Sequence, residues 1–222
     1  MKIMFNILEE PIKIESFTSV VIESKKVFAH IVQDIYNFES GEPADIRIFT
    51  EDQKNISPAE MMVITDIINY EINSATTLKL IYKDLEDNIS LNPERKTYIE
   101  GLLGQIWSEI NKETVHFEVN LELENITLQG IFKALGVKIE TYNISIFEKI
   151  MDILQVFKYL PKKKLLVLTN LGTYLVPEEI KAVEEYVALQ NIHLLLLDNA
   201  VFETAKQIVI DEDFVVMRRK NF

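Results

Sequence analysis

Three short stretches of this chain carry side chains whose type and spacing could do chemistry. Glu23-Ser24-Lys25 sets a carboxylate two residues before an ammonium group. That is half of a common metal-dependent nuclease site, in which carboxylates hold the ion and lysine activates water. The upstream aspartate of such a site is missing, since the acids before it are Glu9, Glu10 and Glu15, so the triplet reads equally as a salt-bridged helix start. The runs 61–66 (MMVITD) and 194–198 (LLLLD) both end a bare apolar strand on an aspartate, the element that holds magnesium in P-loop enzymes. Yet no G-x-x-x-x-G-K-[ST] occurs, and the turn Glu23-Ser24-Lys25-Lys26 has no glycine to let backbone amides wrap a phosphate. Asp66 and Asp198 are therefore read as caps of strand ends. His30, His116 and His193 share no metal-ligand spacing, and no G-x-S-x-G elbow marks a serine nucleophile.

Two charge clusters remain. Glu113, Glu118, Glu122 and Glu124, with Asn120, bring several oxygen donors within a dozen residues. Hard oxygen ligands on irregular backbone suit calcium, although no EF-hand loop is present, and the same residues also read as a solvated face. Between positions 133 and 164, seven lysines (133, 138, 149, 158, 162, 163 and 164) stand against only Glu140, Glu148 and Asp152. In a chain of formal net charge -12 such a local exception speaks for an anionic partner, because partners respond to local potential as well as to the sum. Phosphate binding requires these lysines to share one face; otherwise they are solvated surface or edge protection. Arg218-Arg219-Lys220 adds a smaller basic patch.

The elements that must position these groups follow from periodicity. Residues 2–7 and 12–15 flank the turn signal Glu9-Glu10-Pro11 and predict an N-terminal hairpin. Residues 19–22 (SVVI) lead directly into a helix over 25–38, on which Val27, Phe28, Ile31, Val32 and Ile35 recur at helical spacing. The unalternated runs at 61–64, 165–168 and 194–197 predict strands covered on both faces, hence an α/β fold with a mostly parallel sheet. Pro177 opens the last crossover helix, with Glu178 and Glu179 in its first turn. Between 75 and 160 the pattern turns helical: Leu78, Ile81, Tyr82 and Leu85 form one stripe, and Tyr98, Leu102, Ile106 and Ile110 another. This predicts a helical insertion over 75–160 that splits a head domain of 1–74 and 161–222. Inside it, residues 118–124 (EVNLELE) form either a short exposed strand or an acidic loop before a helix over 127–135.

Composition bounds the rest. With 222 residues, 48% of them hydrophobic and only six Gly and six Pro, the chain has the composition of an ordinary globular protein. The absence of cysteine excludes disulfides and thiol chemistry and fits a reducing cytoplasm. No stretch approaches the ~20 apolar residues of a membrane span, and the acidic N-terminus with Pro11 does not look like a signal peptide. A soluble, cytoplasmic protein with no membrane partner is expected.

Several long strings also carry a resemblance: ILEEPIKI, MMVITDIINYEINSATTLKLIYKDLE, IFKALGVKIE, IFEKIMDILQVFKYLPKKKLLVLTN and the late IDEDF. In their order along nearly the whole chain they resemble the Csn family of CRISPR-associated proteins, the accessory subunit for spacer acquisition in type II-A systems. The resemblance implies an ATPase-like α/β head without nucleotide chemistry and a helical leg. It also implies a homotetramer, a dimer of dimers, closed into a ring whose lysine-lined hole holds the ends of double-stranded DNA, with calcium supporting the ring. The partners would be the CRISPR integrase and effector proteins, and no residue would be catalytic. Carried to this chain, Lys25, Lys26, Lys133, Lys138, Lys149, Lys158, Lys162, Lys163 and Lys164 become DNA-binding candidates. Glu118, Asn120, Glu122 and Glu124 become calcium candidates. The alternative is a metal-dependent DNA nuclease built on Glu23 and Lys25.

Overall fold

A computed structural model describes residues 1–141, 145–202 and 206–220, with residue 220 described by its backbone alone. The chain divides into two compact units, one formed by Met1–Glu71 with Thr141–Phe222 and the other by Ile72–Glu140.

The first unit holds two sheets. Strands β1 (Lys2–Phe5) and β2 (Ile12–Lys13) form the expected hairpin, and after β3 (Phe17–Ile22) and helix α1 (Lys25–Ser40) the strand β4 (Ile46–Phe49) adds to β1, giving a three-stranded antiparallel sheet in the order β2-β1-β4. The main sheet is built from β3, β5 (Met61–Ile64), β6 (Leu165–Thr169), β7 (Leu194–Asp198), β8 (Lys206–Ile210) and β9 (Val216–Lys220), in the order β5-β6-β7-β3-β8-β9. Its first five strands run parallel and β9 returns antiparallel to β8. Every residue of β6 and β7 is buried, as bare apolar runs require when both sheet faces are covered. The core under α1 unites Ile31 and Ile35 with Val20, Ile22, Leu195 and Leu197 of the sheet and Ile3, Phe5 and Ile48 of the small sheet.

Between β5 and β6 the chain makes α2 (Ala75–Ser90), α3 (Pro93–Thr114), α4 (Leu128–Ala134) and α5 (Ile146–Lys158); α6 (Pro177–Leu189) connects β6 to β7. The second unit contains α2, α3 and α4 around Leu103, Leu128 and Phe132, with Tyr82, Leu85, Ile89, Ile99 and Val137 packed against them. Each of its helices starts on a polar cap: Ser74 Oγ accepts from Thr77 N at 3.3 Å, Asn92 Oδ1 from Arg95 N at 3.1 Å, and Thr127 Oγ1 from Gly130 N at 3.0 Å. The two ends of the unit are pinned together, since Asn73 both donates to Ile139 O (3.0 Å) and accepts from Ile139 N (2.8 Å).

One sequence expectation differs from this picture. The insertion closes at Glu140, earlier than 160, because α5 buries Ile150, Ile153, Leu154, Val156 and Phe157 and lies beside α6. Helical spacing reports that residues share a face but not which core receives it. The second stripe of the insertion lies on a helix as expected, with Tyr98, Leu102, Ile106 and Ile110 exposed and Leu103 the buried residue of α3. Residues 118–124 form the loop alternative, with no strand.

Candidate nucleic-acid interface

Beyond the carboxyl ends of the parallel strands, where α/β proteins gather their ligands, lie Glu23, Asp66, Asn170 and Asp198. The β3-α1 turn is only Glu23 and Ser24. The Glu23 amide donates to Ile210 O at 3.0 Å, and Ser24 caps α1 in extended conformation without a side-chain bond. The turn is two residues long and holds no glycine, so it cannot form the loop that wraps a phosphate in P-loop enzymes. Asp66 is spent locally: its two oxygens accept from Asn69 N (3.0 Å) and Asn69 Nδ2 (2.7 Å), and the Asn69 side chain holds its pKa down. Asp198 is 2% exposed. One oxygen accepts from Gly172 N at 3.1 Å, the other has no partner among the described residues, and burial pushes its pKa up to about 6. Thr169 Oγ1 donates to Thr65 O at 3.2 Å and ties the tips of β6 and β5. These aspartates act in turns and tethers, as their reading as caps anticipates.

No group of three or more His, Asp or Glu side chains is gathered to hold a metal among the described residues. The nuclease alternative at Glu23 and Lys25 therefore lacks its carboxylate cluster. The same test bears on calcium. Glu118, Asn120, Glu122 and Glu124 are all exposed along the loop after α3, which is tied to the helix by bonds from His116 N to Glu113 O (3.3 Å), Phe117 N to Thr114 O (3.2 Å) and Trp107 Nε1 to Glu124 O (3.2 Å). Among the described residues these donors are not gathered into a calcium site within one chain.

The lysines separate into three places. Lys133, in the last turn of α4, and Lys138 are exposed on the second unit. In the first unit Lys25 and Lys26 open α1 past the carboxyl end of β3, and Lys149 joins that end of the sheet by donating to Ile68 O. Lys158, Lys162, Lys163 and Lys164 lie at the opposite end, where β6 and β7 begin. A cleft of about 590 Å³ opens there, lined by Lys158, Lys163, Lys164 and His193 with Glu51 and Asp52. Five residues of β6 separate the two ends by about 16 Å. The run that looked continuous in sequence thus straddles the sheet, because α5 spans it.

Several of these charges are already engaged. Lys164 pairs with Glu60 and, with the Ser57 N–H and hydroxyl, holds the Glu60 pKa down to about 2. Lys163 donates to Met61 O and lies 4.0 Å from Glu39, whose pKa burial raises while the Val63 N–H and Lys163 oppose that shift. Lys158 donates to Gln190 Oε1 at 2.7 Å. By contrast Lys25, Lys26, Lys133, Lys138 and Lys162 make no ion pair among the described residues and are exposed. Sequence reasoning undervalued one further basic surface. The β8-β9 hairpin sets Arg218, Arg219 and Lys206 beside Lys13 around a cleft of about 340 Å³ that also meets Glu10 and Glu15. The signal was there in IVI and VVM, two short apolar runs either side of the acidic turn 211–213.

With this geometry in place, likeness to known proteins decides the family. The model of the family described as CRISPR-associated protein (Cas_Csn2) matches residues 39–214. The CRISPR-associated protein Csn2 of Enterococcus faecalis is 44% identical over 220 residues, covering 99% of this chain and 100% of that protein. The chain belongs to the Cas_Csn2 family. A second Csn2, from Streptococcus agalactiae, is 38% identical over 216 residues, 97% of each chain. The fold is also similar to the crystal structure of Stu0660 of Streptococcus thermophilus, with a TM-score of 0.60 at 14% identity over 100% of this chain and 76% of that one. The resemblance to the Csn family read from the strings of residues is thereby shown, and so is the α/β fold with a mostly parallel sheet. A Csn2 protein is CRISPR-associated and supports a role in CRISPR adaptation. No helix among the described residues is long and apolar enough to cross a membrane.

Proposed function

We propose that this Csn2 protein is a non-catalytic, cytoplasmic binder of linear double-stranded DNA ends that works as a homotetrameric ring, a dimer of dimers, beside the CRISPR integrase and effector proteins. The observation that carries the reading is the set of exposed lysines, Lys25, Lys26, Lys133, Lys138 and Lys162, that make no ion pair among the described residues, in a chain of net charge -12. An acidic chain repels DNA except where its cations are segregated from its carboxylates. Because Lys25 and Lys26 lie at one end of the first unit's sheet and Lys162 at the other, a continuous basic track is supplied by several copies, which a ring provides. Lysines on phosphates carry no base information, so binding is indifferent to sequence. Calcium enters as a support of assembly, with donors from 118–124 joined by those of a second copy, since one chain does not gather them.

The test compares a linear duplex with a covalently closed circle of equal length, each incubated with magnesium or manganese. The linear form should shift into a stable complex of unchanged DNA length and the circle should not, since a closed ring loads only where a duplex terminates. Equal binding of both forms overturns threading, and progressive shortening of the linear form favours the nuclease alternative.

A further inference from the structure

The second unit leaves one helix face uncovered. Along α3, Tyr98, Leu102, Ile106 and Ile110 are 68%, 41%, 50% and 48% exposed, while the core side of the same helix turns Leu103 and Ile99 inward. Residues four apart lie one above the next on a helix, so the four form a row about 18 Å long. The row has charged ends on the same face. Arg95 and Glu113 are eighteen residues, five full turns, apart and lie on one line down the helix. Neither makes an ion pair among the described residues, whereas their neighbours do: Lys96 lies 4.0 Å from Glu100, and Lys112 lies 2.6 Å from Glu109.

The order of these residues reads the same from either end. Arg95 and Glu113, Tyr98 and Ile110, and Leu102 and Ile106 are each symmetric about one point on the helix, midway between Leu102 and Ile106. We infer that this face docks on the same face of a second copy of the chain, the two α3 helices running antiparallel about a two-fold axis between Leu102 and Ile106. A two-fold contact requires one surface complementary to itself, and this row is so in both shape class and charge. Leu102 meets Ile106 of the second copy, Tyr98 meets its Ile110, and Arg95 meets its Glu113 at both ends. A parallel arrangement would set Arg95 on Arg95 and Glu113 on Glu113, and like charges directly opposed repel. An unrelated partner would have no reason to match the order twice. The inference rests on the association of copies proposed above and adds where one contact lies, independently of DNA and of calcium.

The chain has no cysteine, so thiols can be placed without background. Arg95→Cys and Glu113→Cys are made as single variants and treated with a short bis-maleimide, alone and mixed. The mixture should give a covalent dimer and neither variant alone should; self-linking of each variant alone overturns the antiparallel register. In sedimentation, Ile106→Glu should raise the dissociation constant of this contact at least 100-fold and lower the mass of the assembly, with circular dichroism reporting an intact fold. Arg95→Glu should weaken it several-fold and Arg95→Glu with Glu113→Arg should restore it; this pair and the cross-links decide the matter if Ile106→Glu does not fold. A parent that associates while Ile106→Glu and Arg95→Glu keep its mass and affinity overturns the α3 contact alone. A parent that stays monomeric at ~100 µM overturns both this contact and the ring.

Discussion

Asp198→Asn should stabilise this protein at neutral and higher pH and do so progressively less as the solution is acidified. The carboxyl of Asp198 sits at the end of β7 with 2% exposure, one oxygen on the Gly172 N–H and the other unpartnered among the described residues. Burial raises its pKa from 3.8 to about 6. The sign follows from proton counts: between these values the folded state holds a proton that the unfolded state has lost, so stability present below pH 3.8 is lost as pH rises through about 6. At 1.36 kcal/mol per unit the ionised group costs about 3 kcal/mol at pH 8 and about 1.6 kcal/mol at pH 5. Asparagine keeps an acceptor for Gly172 and removes the charge, although its new N–H group adds a burial cost that is the same at every pH. The informative quantity is therefore the variant-minus-parent stability at pH 8 less that at pH 5, expected near 1.4 kcal/mol in favour of pH 8. Urea unfolding at the two pH values measures it, and all other titrating groups cancel between variant and parent. A difference of zero, or one of opposite sign, would show that Asp198 is ionised without penalty and that its second oxygen has a partner.

Lys162→Glu with Lys25→Glu and Lys26→Glu should weaken DNA binding equally for all sequences and flatten the salt slope by roughly 0.9 for each phosphate that is no longer neutralised, without altering thermal stability; unchanged affinity at matched salt would move the interface to Lys133 and Lys138. Lys163→Glu, in contrast, should lower stability because it sets a second carboxylate beside the half-buried Glu39, and a variant as stable as the parent would show that the two side chains do not meet. Chelation should lower the mass of the assembly or its DNA affinity, and changing Glu118, Glu122 and Glu124 together to Gln should remove that sensitivity; if mass and affinity ignore calcium in both proteins, the loop is a solvated face. Gly172→Ala would put a methyl 2.3 Å from a Phe202 ring carbon and should cost about 1–3 kcal/mol in denaturant unfolding, with no loss placing Phe202 elsewhere.

The strands that hold the site were legible because β3, β5, β6 and β7 are covered on both faces and read as unbroken apolar runs. Strand β4 was not, since IRIF is short and half exposed, nor were β8 and β9, since β8 is an unbroken apolar run for only three residues and Val216 to Arg219 of β9 are exposed at the sheet edge. The row from Tyr98 to Ile110 shows the limit of periodicity: spacing reports that residues share a face, never what lies against it. The lysines failed for the complementary reason. Adjacency in sequence between Lys149 and Lys164 hides the length of α5, which carries the two ends of that run to opposite ends of the sheet. Nor does a count of acids in 118–124 disclose whether their oxygens converge, because convergence depends on backbone path rather than composition.

The Asn73–Ile139 pair has a consequence for how the chain reaches this state. Pairing β5 with β6 brings Ile64 beside Leu168 and Met61 beside Leu165, closing a loop of about a hundred residues. Once residues 72–140 have folded on their own core with their ends pinned, the flexible part of that loop falls to about thirty residues. The closure entropy then drops by only about 1 kcal/mol. An order of events in which the helical unit forms first is thus favoured but not enforced, and the parent sheet treats its insertion as little more than a short connection. Evolution can lengthen, shorten or exchange such a unit while the sheet around it keeps its register.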